Sequence, residues 1–439
     1  MEAHATPLIG GRTRLAQLGA LLPHVGVAVV VATVAASFAL HSTGVRLGAG
    51  LAPFNAVWQP DVAPYAIAAA AVLAIAVVAG PRLLTWPRSP LGFAATTLGL
   101  GLVARLALGA ARDGPERWSA VYGSDAGAHN EYLPALAAVE PGLGTFLDRF
   151  AEVALTLPIH PSAHPPGVLV SLHWLGIDGA GGAAAVAILG GALVVPLAYA
   201  LARRLMDERR ARVAALLVLL APSSLLYGAT SFDSLFAALA TLAGVLLVSR
   251  GRLARAAAGP ALALASFFSF ALLAIGAWAV GVAALRRGLR PALHLAGWAA
   301  VAVAGSYALL YAATGFDPIG TVQAASDAYF LGIASVRPYE YWLFGSPVAA
   351  FVAMGVPLAW YALRAVGRGE PAAVALAGIV AVAALLGFTK AETERIWLFM
   401  VPLAAVSAAS VLPLSRLKLV LAVLAAQALA VELTLWTIW

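Results

Sequence analysis

Cysteine is absent from all 439 residues, which excludes disulfides, thiolate metal sites and a cysteine nucleophile, and leaves no reading of the redox compartment. Charge is scarce as well. Asp, Glu, Lys and Arg make up 11% of the chain, against 62% hydrophobic residues. A soluble fold could not hide that much apolar surface, and repeated apolar runs of about 18 residues or more mark a polytopic helical membrane protein. The common nucleotide and metallopeptidase signatures are missing too: no GxGxxG follows a strand, and neither a P-loop nor HExxH occurs. No internal repeat of about 20–50 residues emerges. The N-terminus lacks the charged, apolar and small-residue order of a cleaved signal peptide. The run from Leu18 to Leu40 is long enough to span, so it is expected to remain as an uncleaved first helix.

What is there reads as about eleven spanning helices, at 18–40, 64–84, 91–111, 180–202, 211–229, 233–249, 292–313, 344–364, 371–388, 396–414 and 418–437. With Arg12 and Arg14 placed in the cytoplasm, the arginine-rich turns that follow, such as Arg203–Arg212, Arg250–Arg255 and Arg286–Arg290, fall on the same side. That side then holds 19 of the 27 basic residues, while the other holds 8 basic residues and 16 of the 20 acids. The asymmetry follows the positive-inside rule, explains a sequence pI near 9.9 and argues against a nucleic-acid partner. Two segments have to bend to keep this register. Residues 260–284 are expected to form a re-entrant or broken hairpin turning near Ser266 and Ser269, which raises the count to thirteen if its limbs are counted separately. Residues 166–178 lie along the outer interface or dip partway in. The chain divides into two N-terminal helices (1–90), a core with a large outer loop at 112–165 (91–290), and a C-terminal module with an outer loop at 314–343 (291–439).

No soluble domain is expected within these residues. The polar residues gather in those two loops and in TKAETERIW at 389–397, all on the outer face, and loops on a rigid scaffold are where function is expected. Asp125, in GSDAGAH with His129 four residues on, is placed to be a base for a hydroxyl nucleophile; alternatively it closes a local turn. In LPIHPSAHPPG, His164 stands near the N-cap of a short helix at 165–176, whose positive end suits an anionic phosphate. An interfacial helix with snorkelling ends is the plainer alternative. His160 and His164 imitate a metal pair by spacing, but Pro161 argues against a helix presenting both; no metal and no cofactor is indicated. Lys390, Glu392, Glu394 and Arg395 either hold a phosphate through the two cations or neutralise one another. Arg337, in SVRPYEYW, is a further cation, with Tyr339, Tyr341 and Trp342 either stacking on a sugar or lying in the aromatic belt. Asp233, in LLYGATSFDSL, caps the following helix or faces the same cavity.

These features together resemble the GT-C glycosyltransferases: a helix, an outer loop with an Asp, His-Pro-Pro opening a short helix, an arginine-rich inner loop, then APSSLLYGATSFDSLFAALATL. Within that superfamily the chain looks most like the protein O-mannosyltransferase and aminoarabinose-transferase branch. The likeness is best over 91–285, and KAETERIWLFMVP is similar to a closing charged motif. It implies a GT-C-like bundle with interfacial juxtamembrane helices, Asp125 as catalytic carboxylate, His164 beside the donor phosphate and Asp233 as the later acid. Two extra N-terminal helices, and Ala126 where the mannosyltransferases carry a second acid, depart from the pattern.

The expectation is thus an integral membrane hexosyl- or pentosyltransferase of the cell membrane, with a cytoplasmic N-terminus. It would move a sugar from a polyprenyl-phosphate donor to a lipid-linked or cell-envelope glycan acceptor on the extracytoplasmic face, Asp125 serving as general base. Its other partners are membrane lipids. His160, His129, Asp233, Arg337, Lys390, Glu392 and Arg395 join His164 as expected substrate-binding residues. The rivals are a transporter or flippase of lipid-linked sugars, a protein O-glycosyltransferase, and an assembly subunit without catalysis.

Overall fold

The computed structural model describes residues 9–123, 125–437 and 439, without the side chains of 9–18, Asp125, Ala126 and Ala128. The described residues are mostly helical with almost no strand, as an apolar chain is expected to be where no water is present to satisfy backbone N–H and C=O groups. Among the described residues, eight helical segments are long and apolar enough to cross a membrane: Gly19–Ser42, Tyr65–Leu83, Pro90–Gly109, Ala180–Leu205, Phe270–Arg287, Leu289–Thr314, Thr393–Val411 and Leu414–Thr434. This is the architecture of a polytopic membrane protein.

Four of the eleven expected spans are apolar but short or broken, while Phe270–Arg287, the second limb of the expected hairpin, is added. Asp233–Val248 and Pro371–Leu385 have 16 and 15 residues, about 23 Å of helix, less than a hydrocarbon core of about 30 Å. The expected helix at 211–229 stops at Leu220, because Pro222 restarts the chain as the short helix Pro222–Leu226. The expected span at 344–364 is two helices, Tyr339–Ala353 and Val356–Gly367, bent by 114° at Gly355, whose φ of +112° favours glycine. Counting that bent pair as one span gives nine.

Residues 260–284 do turn back. Helix Arg252–Phe268 ends where Ser269 becomes extended, and Ala274–Arg287 returns. A Cβ at Gly276 would lie 2.9 Å from Leu262, and both residues stand seven positions from Ser269. The turn is therefore at Ser269, with Ser266 still inside the first limb. Residues 166–178 form only the eight-residue helix Gly167–Trp174, too short to cross.

Helix Glu208–Leu220 and the segment Thr393–Val411 run through the middle of the core, almost wholly buried. Tyr65–Leu83 packs on Leu417–Thr434, and Val356–Gly367 packs on both Ile9–Ser42 and Val401–Val411. At one end of the bundle residues 112–174 form not an open loop but a chain of short helices, over which helix Pro318–Leu331 lies. Residues 43–64 join them there. Their strand Val57–Trp58 pairs antiparallel with Leu435–Trp436, and Arg112 fastens the pair by donating to the carbonyls of Gln59, Glu432 and Leu435 at 2.7–3.1 Å.

Candidate functional site

At that end Glu131, Tyr132, His160, His164, Ser231, Asp233, Phe236 and Arg395 line one pocket. The side chains close on one another so that no space between them seats a water molecule, and a ligand enters only if they move.

Arg395 is the hub. Its position is set by the turn Lys390–Glu392, where Ala391 and Glu392 both take left-handed backbone conformations, φ +64° and +58°. Such conformations are uncommon for residues with a side chain and concentrate at functional sites. Nη1 of Arg395 pairs with Asp233, while Nη2 reaches Glu392 at 3.1 Å and His160 Nε2 at 3.3 Å. Arginine only donates, so His160 Nε2 accepts and Nδ1 carries the proton that goes to Glu131 Oε1 at 3.1 Å. Asp233 opens helix Asp233–Val248 and is braced by the Ser231 hydroxyl at 2.6 Å. Glu392 is shared with Arg337, 2.8 Å away, and Arg337 also donates to the carbonyls of Gly48 and Lys390 at 3.1 and 2.7 Å. Burial pushes the Glu392 carboxyl up, but Arg395 and Arg337 together hold it below its usual range.

His164, half-buried, lies with its ring 6.5 Å from that of His160 and 5.5 Å from Phe236. It makes no hydrogen bond among the described residues. Burial, then the neighbouring His160, push its imidazole down to about 4, so it is a neutral donor or acceptor at neutral pH. Tyr122 and Tyr132 are held well above the usual phenol range by burial and then by Glu131. The Tyr122 hydroxyl is buried without a partner among the described residues.

The sequence-based expectations are thus sorted as follows. His160, Asp233, Glu392 and Arg395 meet in one network, with Arg337 one step out and His164 lining the same pocket without a hydrogen bond to it. His160, held back by Pro161 in the sequence reading, belongs to the network: Pro161 is accommodated inside the one-turn helix Ile159–Ala163, where His160 is buried. His164 does not cap the next helix: it is extended, and Pro166 takes the cap position. Lys390 pairs with neither glutamate; its ammonium lies 3.3 Å from the Ala334 carbonyl. Glu394 turns away, one oxygen accepting the Asn55 N–H at 2.7 Å and the other without a partner among the described residues. Among the aromatic residues, Trp342 donates to the Leu47 carbonyl at 2.9 Å and Tyr339 to that of Leu385 at 2.6 Å, so both are committed to the scaffold. His129 lies in helix Asp125–Asn130 with its side chain exposed. The Asp125 side chain lies outside the described residues; the helix it begins packs against Ile159–Ala163, which carries His160.

Three contributors were missed. Glu131 was one more acid in an ionisable loop. Residues 43–64, assigned no role from the sequence, supply Gly48 and Asn55. Trp439 gave no signal at all, yet its indole stacks on His160 with centroids 5.5 Å apart, lies 4.0 Å from the Arg395 guanidinium and donates to Glu131 at 3.0 Å. Comparison with protein-family models and with curated proteins returns no match.

Proposed function

We propose that the chain is a GT-C-like membrane glycosyltransferase acting on the extracytoplasmic face of the cell membrane. One observation carries the reading. In a chain with so few charges, Glu131, His160, Asp233, Glu392 and Arg395 converge from separate segments into one network, beside the helix that begins with Asp125, at one end of an apolar bundle. Ionisable residues gathered in apolar surroundings are what a functional site is built from, and this supports a site for a lipid-borne phosphate and a polar acceptor. The basic-residue asymmetry supports a cytoplasmic N-terminus and about eleven crossings, up to thirteen with both hairpin limbs, the shorter helices completing the count.

In the proposed reaction Asp125 takes the proton of an acceptor hydroxyl as its oxygen attacks the anomeric carbon of a polyprenyl-phosphate sugar. The bond from that carbon to the phosphate oxygen breaks, and polyprenyl phosphate leaves with the electron pair, inverting the anomeric centre. Arg395 and Arg337 are held by carboxylates in the resting state, so the phosphate competes with Glu392, the residue they share. The strained turn at Ala391–Glu392 is the element suited to yield. His164, neutral and without a hydrogen bond of its own, would donate to the phosphate.

The test is purified chain in liposomes with a panel of polyprenyl-phosphate hexoses and pentoses and a glycolipid acceptor, following release of polyprenyl phosphate. Release is expected, with a loss of about 10²–10⁴ in rate for Asp125→Asn. Movement of the intact donor across the bilayer without cleavage would replace the reading by that of a flippase.

A further inference from the structure

Five arginines are at most 4% exposed: Arg105, Arg112, Arg212, Arg337 and Arg395. Four have partners. Arg112 donates to three carbonyls, Arg212 to Glu208 and two carbonyls, and Arg337 and Arg395 pair with Glu392 and Asp233 as described above. Arg105 alone, 2% exposed in helix Pro90–Gly109, makes neither an ion pair nor a hydrogen bond among the described residues, and its Nη1 is completely enclosed. A buried lysine or histidine escapes this situation by losing its proton, but arginine does not. An isolated buried cation is costly without a counter-charge.

The arm of Arg105 lies against the turn that follows helix Pro222–Leu226. The point a Cβ at Gly228 would occupy is 2.7 Å from Arg105 Cδ, 2.8 Å from Nε and 2.2 Å from the Ser224 carbonyl, so residue 228 is glycine to let the arm pass. In the same short helix the hydroxyls of Ser223 and Ser224 are both buried and both without a hydrogen-bond partner. A serine in a helix ordinarily bonds back to a carbonyl one turn earlier, as Thr241 and Ser407 do here at 2.6 and 2.8 Å. Nη1 of Arg105 and the hydroxyls of Ser223 and Ser224 are thus three buried groups around one turn that can donate and that have no partner among the described residues.

We propose that Arg105, Ser223 and Ser224 form a buried site for a monatomic anion, chloride under ordinary conditions. The enclosure of Nη1 and of both hydroxyls favours a single small ion over a tetrahedral oxyanion. Bound there, the ion supplies the missing counter-charge and braces the turn from Tyr227 to Ser231, which leads directly to Asp233. The site stands apart from the proposed transferase chemistry and does not depend on it.

The experiment is thermal unfolding of the full chain in detergent, titrated with sodium chloride against sodium gluconate and sodium sulfate at constant ionic strength, with a bromide-soaked crystal to locate the ion. The expected result is a saturating rise in Tm with chloride or bromide alone, and an anomalous peak beside Arg105. The rise should be lost in Arg105→Met and reduced in Ser223→Ala/Ser224→Ala, the latter serving if the arginine variant does not fold. Equal Tm in chloride and gluconate, an equal rise with sulfate, or a chloride effect untouched by either variant would each overturn the proposal.

Discussion

Removing the Arg395 guanidinium while keeping most of its volume, as in Arg395→Met, should strand the carboxylate of Asp233. Both side chains are nearly inaccessible, 5% and 6% exposed. Afterwards Asp233 would keep, among the described residues, the Ser231 hydroxyl at 2.6 Å, whereas Glu392 would keep Arg337 at 2.8 Å. Breaking a buried pair by removing one partner costs about 3–5 kcal/mol, because the other charge stays buried. At roughly 2 °C per kcal/mol for a large chain, Tm should fall by about 6–10 °C. The asymmetry between the two acids gives the sharper test. In the Arg395→Met background, Asp233→Asn removes the stranded charge and should recover about 1–3 kcal/mol, while Glu392→Gln should recover less. The assay is thermal unfolding of the purified chain in detergent, read as a double-mutant cycle. The reasoning fails if Arg395→Met unfolds within about 1 °C of the parent chain, or if Asp233→Asn worsens that variant.

Three further expectations follow from the same geometry. His164 has a folded value of about 4, pushed down by burial and then by His160, below the ordinary 6.5. Its contribution to stability is therefore complete above about pH 6.5 and is lost as pH falls toward 4; Tm measured over that window should slope downward with falling pH, and His164→Gln should flatten it. His160→Ala removes partners from Glu131 and Arg395 together and should cost about 2–4 kcal/mol, whereas His173, exposed at the far end of Gly167–Trp174, should tolerate alanine within about 0.5 kcal/mol; denaturant titration separates them. In this cysteine-free chain, cysteine at the exposed positions Asp178 and Arg204, at opposite ends of Ala180–Leu205, should be labelled by an impermeant reagent in intact cells at 178 only; the reverse would invert the proposed topology.

The features legible in the sequence were those that break an apolar pattern. Charged residues in so hydrophobic a chain have few places to go, so His160, His164, Asp233, Glu392 and Arg395 stood out singly before the fold brought them together. The break near Ser269 was legible because arginines on both flanks of one apolar run demanded a turn. What escaped depends on contacts distant in sequence. Nothing local tells Glu131 from other loop acids; its role comes from His160 and Trp439, and the latter arrives by way of a strand pairing across nearly the whole chain. The 114° bend at Gly355 escaped because hydropathy runs on unchanged through residues 344–364, and hydropathy does not register a single glycine at positive φ.

The most direct test of the central claim is an experimental structure of the chain with polyprenyl phosphate bound. The account predicts the phosphate at the pocket of His160, His164 and Arg395, with Glu392 displaced from Arg395, Trp439 moved aside and the lipid tail running along the apolar bundle. A phosphate bound elsewhere, with the Glu131–His160–Arg395–Asp233 network unaltered, would contradict it.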